Sequence, residues 1–242
     1  MNATILSNNE KHYPVLLKEI LSIISPQNGG TFIDCTFGQG GYSQSILKFS
    51  KTKVIALDRD IDCKKVAENL ERKNKKRFTF YNKKFGDIDQ IKYEDLKIKG
   101  IIFDLGYSYT QIKDPKKGLS FENSGSLNMR MGINEFTASD VVNKLEQKDL
   151  ELIFKFFGDE KKSKLISKKI VLERSQGLID TQKLVKIINS SKKNNNKKTH
   201  NATKVFQALR IFVNKEISEL IYGIIKSVKI LEKNGLIVVV SF

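Results

Sequence analysis

Asp104 closes an apolar run, GIIF at 100–103, and opens the stretch DLGYSYTQ at 104–111. A carboxylate, a glycine and two tyrosines at the end of a buried strand could be no more than a turn, because Asp and Gly are turn residues. The same set could also do chemistry. The lone pair of an exocyclic base amine is delocalised into the ring. A carboxylate or carbonyl that accepts its N–H favours the pyramidal, nucleophilic nitrogen, and an aromatic face can stack on an extruded base. Asp104 and Tyr107 are therefore the candidate catalytic residues.

Upstream, DCTFGQGGYS at 34–43 places Gly38, Gly40 and Gly41 between a strand and a helix, where glycines let backbone approach a ligand closely. Asp58 ends the next strand, ALD, 20 residues after Gly38, where a carboxylate can accept from both ribose hydroxyls. Together they indicate a cofactor that contains adenosine. NAD and S-adenosylmethionine both fit that frame. Ser43 stands where a dinucleotide loop wants glycine or alanine, and Asp34 suits the cationic methionine end of S-adenosylmethionine better than a pyrophosphate. The methyl donor is favoured, and an oxidoreductase is the distant alternative. Neither Cys35 nor Cys63 lies in the loop after the fourth strand, which disfavours methylation at a ring carbon through a thiolate. With two cysteines at unpaired spacing and two histidines, no metal site is expected.

These residues need strands to carry them. TFIDC (31–35), KVIALD (53–58), RFTFYN (77–82) and GIIFDL (100–105) read as strands, with helical stretches after the first two. That alternation predicts an α/β fold, a doubly wound and mainly parallel sheet whose ligands bind at the strands' carboxyl ends. From 112 to 200 helical periodicity continues without strands, so residues 112–200 read as an inserted helical domain. It ends in the polar run KKNNNKK (192–198). Residues 1–111 and 201–242 make up the first domain. The helix from Ala202 on is expected to cap at Gly235 and lead into a fifth strand, GLIVVVSF, with an apolar run typical of a strand covered on both faces. A chain stopping at Phe242 leaves that strand's edge unpaired, which predicts a fragment.

Lys plus Arg outnumber Asp plus Glu by 43 to 27, a formal charge of +16. That excess makes a polyanion the first partner to consider. No signal segment and no apolar run near the roughly 18 residues of a membrane span is present, so a cytoplasmic protein without a membrane partner is expected.

In order along the chain, HYPVLLKEIL (12–21), the glycine loop, DLGYSYTQI, KGLSFENSGSLNMRM (117–131), NATKVFQALRIFVNKEISEL (201–220) and the final VVVSF resemble the bacterial small-subunit ribosomal RNA cytosine-N4 methyltransferase H family. The resemblance covers nearly the whole chain. It implies a Rossmann-like class I methyltransferase that uses S-adenosylmethionine to methylate the exocyclic N4 amine of a cytidine in small-subunit (16S) ribosomal RNA near the decoding centre. It further implies cofactor contacts at Gly40, Gly41, Tyr42, Asp58, Phe85, Asp104 and Gln111, in addition to Asp34 and Gly38. The family has His where this chain has Tyr42, Val-Ser-Ser-Pro where it has 107–110, and carboxylates where it has Asn128 and Gly132. It also continues past the last strand.

Within the insertion, Lys161, Lys162, Lys164, Lys168, Lys169 and Arg174 give a basic helix, and Lys204 and Arg210 lie on the following one. With Arg130 of LNMRM, these predict a grip on the phosphates of ribosomal RNA or the small-subunit particle. Two other functions stay open at this point: a DNA amino-methyltransferase, which the same Asp-x-Gly-Tyr chemistry would serve, and a non-catalytic RNA-binding or assembly factor that retains the fold.

Overall fold

The β-rich half of the chain alternates short apolar runs with amphipathic helices, and each run becomes one strand of a single sheet. The computed structural model describes residues 14–93, 96–106, 111–112, 114–121, 126–132, 134–192 and 200–241. Strands β1 (Gly30–Asp34), β2 (Thr52–Leu57), β3 (Phe78–Tyr81), β4 (Ile98–Leu105) and β5 (Leu231–Ser241) lie in the order β3-β2-β1-β4-β5. All four pairings are parallel. The order reverses between β1 and β4, the topological switch point, beyond whose strand ends doubly wound sheets place their ligands.

Both faces of this sheet are covered. On one side α1 (Leu17–Ile24), α2 (Gly41–Ile46) and α3 (Lys64–Lys73) bury Ile20, Ile46 and Ala67 against Phe32, Val54 and Ile102. On the other, Phe85, Ile88 and Ile230 pack on Ile33, Ile55, Ile101 and Phe103. Alternate strand residues point to opposite faces, so continuous apolar runs are what a doubly covered sheet requires.

The chain divides into two compact units, one of residues 1–106 and 218–242 and one of residues 107–217. The second is helical: α4 (Ala138–Lys144), α5 (Gln147–Gly158), α6 (Ser163–Arg174), α7 (Thr181–Ser191) and α8 (Thr203–Val213). Its core joins Leu150, Phe154, Ile166, Ile170, Leu184, Val205, Phe206 and Leu209. A capping box between Thr137 and Asp140 starts α4, and Asp180 accepts from the Lys183 amide to start α7. Asn214 is fully buried past the end of α8. Its side chain accepts from the Met131 amide and donates to the Met129 carbonyl, which pins the LNMRM segment to that helix.

The unit boundaries fall at 106/107 and 217/218 rather than at 111/112 and 200/201. Helix α8 packs into the helical core through Val205, Phe206 and Leu209, whereas the polar run at 192–198 reads in sequence as the end of the insertion.

One expectation at the end of the chain differs from the structure. Helix α9 (Glu216–Ile230) stops before Gly235, and Asn234 rather than Gly235 takes a positive φ, of 70°. Strand β5 packs Ile237 against the core on one face and Val238 and Val240 against the core on the other. It pairs only with β4 among the described residues, and Leu236 and Val239 are 41% and 44% exposed.

Candidate active site

Three of the carboxylates singled out by the sequence stand at strand ends in the first unit, Asp34 on β1, Asp58 just past β2 and Asp104 on β4. Hydrogen bonds tie them to the loop between β1 and α2. The Gly38 amide donates to Asp58 Oδ2 at 2.8 Å, and Asp58 Oδ1 accepts from the Asp60 amide at 2.8 Å. Asn82, past β3, donates to the Asp58 carbonyl at 2.8 Å. The Asp104 amide donates to Thr36 Oγ1 at 2.8 Å, so a residue of the glycine loop's approach sets the end of β4. Sequence reasoning missed Thr36. Its one local signal is a hydroxyl residue two places after a strand-end acid.

Asp34 is fully buried. Ser43 Oγ donates to its Oδ2 at 2.6 Å and the Thr36 amide to its Oδ1 at 3.3 Å. The serine that departs from the dinucleotide pattern thus has a partner in this chain. Burial raises the Asp34 carboxyl to about 6, against the lowering effect of those two bonds. Asp58 is raised too, first by burial and then by the neighbouring Asp60 carboxylate, while its two amide donors oppose the shift.

Gly38 sits at φ +51°, a left-handed conformation that glycine takes without the strain a Cβ brings, and Gly40 at φ +76°. Tyr42 is buried, and its hydroxyl donates to the Val15 carbonyl. Its side chain therefore ties down the segment that follows Pro14. Burial, and then the charges of Asp104 and Asp34, push its phenol well above the ordinary range. Phe85, just past β3, stands edge-on to Phe103 with ring centroids 5.4 Å apart. Both cysteines are buried, and burial raises the Cys35 thiol. Among the described residues no group of three His, Cys, Asp or Glu could hold a metal.

Structure thus brings Asp34, Gly38, Gly40, Gly41, Tyr42, Asp58, Phe85 and Asp104 onto the β1, β2, β3 and β4 ends of one unit. Gln111 falls in the second unit, half-buried in a short helical turn. Tyr107 lies outside the described residues.

The cations expected to hold RNA are unevenly placed in the second unit. Arg174 donates to the carbonyls of Val142 and Leu145 and so caps α4. Arg210 forms a bidentate pair with Glu216, at 2.9 and 3.0 Å. Lys204 holds the carbonyl and carboxylate of Asp159, where α5 ends in a left-handed turn. Lys169 donates to Ser190, and Arg130 to Asn128. Lys162 is exposed, as are Lys161, Lys164 and Lys168, and among the described residues none of these four side chains holds an ion pair.

The chain is similar to known proteins over most of its length. The profile of the MraW methylase family matches residues 9–242. Two proteins named "Ribosomal RNA small subunit methyltransferase H", from Rickettsia massiliae (strain Mtu5) and Rickettsia bellii (strain OSU 85-389), are each 42% identical over 234 residues. The alignments cover 96% of this chain and 76% of each relative. The protein of that name from Rickettsia akari (strain Hartford) is 41% identical over the same coverage.

Proposed function

The chain belongs to the MraW methylase family, and from that premise we propose that it methylates the exocyclic N4 amine of a cytidine in small-subunit ribosomal RNA, with S-adenosylmethionine as methyl donor. The observation that carries this reading is the set of strand-end carboxylates, Asp34 and Asp104 at the switch point and Asp58 past the neighbouring β2, bound into one loop through Thr36 and Gly38.

That set of acceptors fits a cationic nucleoside better than a pyrophosphate, which three carboxylates would repel. Asp58 would hold the ribose, because each of its oxygens accepts one amide and keeps capacity for another donor. Gly38, Gly40 and Gly41 would let the backbone close on the cofactor, and Phe85 would wall its nucleoside half. When bound, the cofactor supplies an activated methyl group for an in-line displacement. Positioning is the main demand such a transfer makes on the protein. Asp104 meets it at the end of β4: its acceptor oxygens would take the N–H of the target amine while the Thr36 hydroxyl fixes its backbone. Tyr107 would stack on the base. The exposed lysines 161, 162, 164 and 168 would contact RNA phosphates.

The relatives' name favours ribosomal RNA over DNA as the substrate, and no observation favours a non-catalytic factor. No helix among the described residues is long and apolar enough to cross a membrane.

The test is to incubate the chain with S-adenosylmethionine and small-subunit particles from cells lacking this activity, then digest the RNA and identify methylated nucleosides by mass spectrometry. N4-methylcytidine is expected, and its loss in Asp104→Ala. A methyl group on another atom, or none, would overturn the reading.

A further inference from the structure

One helix holds both backbone groups of Gly86. The Gly86 amide donates to Glu219 Oε2 at 3.2 Å, and Lys226 Nζ donates to the Gly86 carbonyl at 2.6 Å. Glu219 and Lys226 lie seven residues apart on α9, two helical turns, and so on the same face. Each is held in turn: Glu219 by Lys84 at 3.9 Å and Lys226 by Asp89 at 2.9 Å. All four side chains are less than half exposed.

Between them on that face stands Gly223. A Cβ there would stand 3.0 Å from both the Phe85 and the Phe103 rings, so the glycine lets the helix lie closer to this aromatic pair than a side chain would without shifting the rings. At Gly86 a Cβ would meet the Glu219 carboxylate at 2.4 Å, so a side chain there would push the carboxylate off the amide it now accepts from. Residues 219, 223 and 226 thus form one stripe, acid, gap and cation, fitted to the dipeptide Phe85–Gly86. Apolar side chains would bury this face with less desolvation. Charged groups aimed at a single peptide fix orientation as well as contact.

The stripe has a functional reading because of what it holds. Phe85 follows β3, which is next in the sheet to β2 and so to Asp58 just past it; its ring also abuts Phe103, the residue before Asp104. We propose that Glu219 and Lys226 are positioning residues for the cofactor, setting the Phe85 ring against its nucleoside half from behind. This rests on the assignment of Phe85 as a cofactor contact.

Calorimetric titration with S-adenosylmethionine and steady-state kinetics test it on wild type, Glu219→Ala, Glu219→Gln, Lys226→Met, Phe85→Ala and the double variant of Phe85→Ala with Glu219→Ala. Glu219→Ala and Lys226→Met are expected to raise Kd and KM for the cofactor roughly tenfold. They should leave kcat at saturation within about twofold and KM for RNA unchanged. Glu219→Gln keeps an acceptor for the amide and should recover most of the affinity. In the Phe85→Ala background Glu219→Ala should add nothing, because the ring it positions is gone. If Glu219→Ala lowers the melting temperature but leaves cofactor KM at the wild-type value, or if its effect adds fully to that of Phe85→Ala, the positioning role is overturned while Phe85 keeps its own. If Phe85→Ala binds the cofactor as wild type does, the assignment of Phe85 fails and takes the proposal with it.

Discussion

The Gly38 amide donates to the Asp58 carboxylate at 2.8 Å, across 20 residues of sequence and from the loop after β1 to the end of β2. Asp58 holds the loop, and in the proposed reading it also meets the ribose of the cofactor. Asp58→Asn keeps one acceptor oxygen but turns an amino group toward the other amide. We expect a loss of about 1–3 kcal/mol in stability by urea unfolding. S-adenosylmethionine affinity should fall at least about tenfold by calorimetry. A variant that unfolds more easily but binds the cofactor normally would confine Asp58 to holding the loop.

Thr36 performs a similar service for Asp104, whose amide it accepts at 2.8 Å. Thr36→Val preserves shape and removes the acceptor. It should cost about 1 kcal/mol in stability, and it should lower kcat with little change in cofactor KM. An unchanged kcat would show that β4 presents Asp104 without help from the loop.

Strand-end acids were legible because they obey local rules. Asp34, Asp58 and Asp104 each end an apolar run at a place where turn chemistry and parallel-sheet topology announce themselves within a few residues. Thr36, Glu219 and Lys226 were not, because their partners lie 68, 133 and 140 residues away and nothing nearby marks them. The partners of the cations are hidden for a different reason. In sequence, a cation that caps a helix looks like one in solvent, so Arg174 and Arg210 read as surface although each closes a piece of the helical unit. The boundary near 200 suffered likewise, because a polar run marks a loop, and only the packing of Val205 and Leu209 shows on which side of it a core continues.

Asp34 sets a pH dependence. Burial raises its carboxyl to about 6 from an ordinary 3.8, so the folded chain prefers the protonated form. Its contribution to stability is complete below about 3.8 and is lost as pH rises through 6. Asp34→Asn cannot ionise. It should therefore be more stable than wild type by about 1–3 kcal/mol near neutral pH and above, with the difference closing as pH falls toward about 3.8. A cationic cofactor would favour the charged carboxylate, so wild-type affinity for S-adenosylmethionine should climb as pH rises through this range. The Asn variant should lose that climb. Parallel pH profiles for the two proteins would rule out Asp34 as the group the cofactor senses.

RNA binding separates two classes of cation. Lys161, Lys164 and Lys168 are exposed, while Arg174 and Arg210 are spent on a helix cap and on Glu216. If phosphates are gripped by the exposed set, each Lys→Gln change there should weaken RNA binding about equally for all sequences. Each should also reduce the slope of log affinity against log salt by about 0.7 to 0.9, the release of one counterion per phosphate contact. Melting should hardly move, since solvated lysines contribute little to stability. Arg174→Gln and Arg210→Gln should do the reverse. They leave carbonyls or a half-buried carboxylate without a donor, at a cost of about 1–3 kcal/mol in stability, and keep the salt slope of the wild type. Filter binding across a salt series, with unfolding curves for the same five variants, decides the matter. Equal salt slopes for wild type and the three lysine variants would move the RNA contact off this helix.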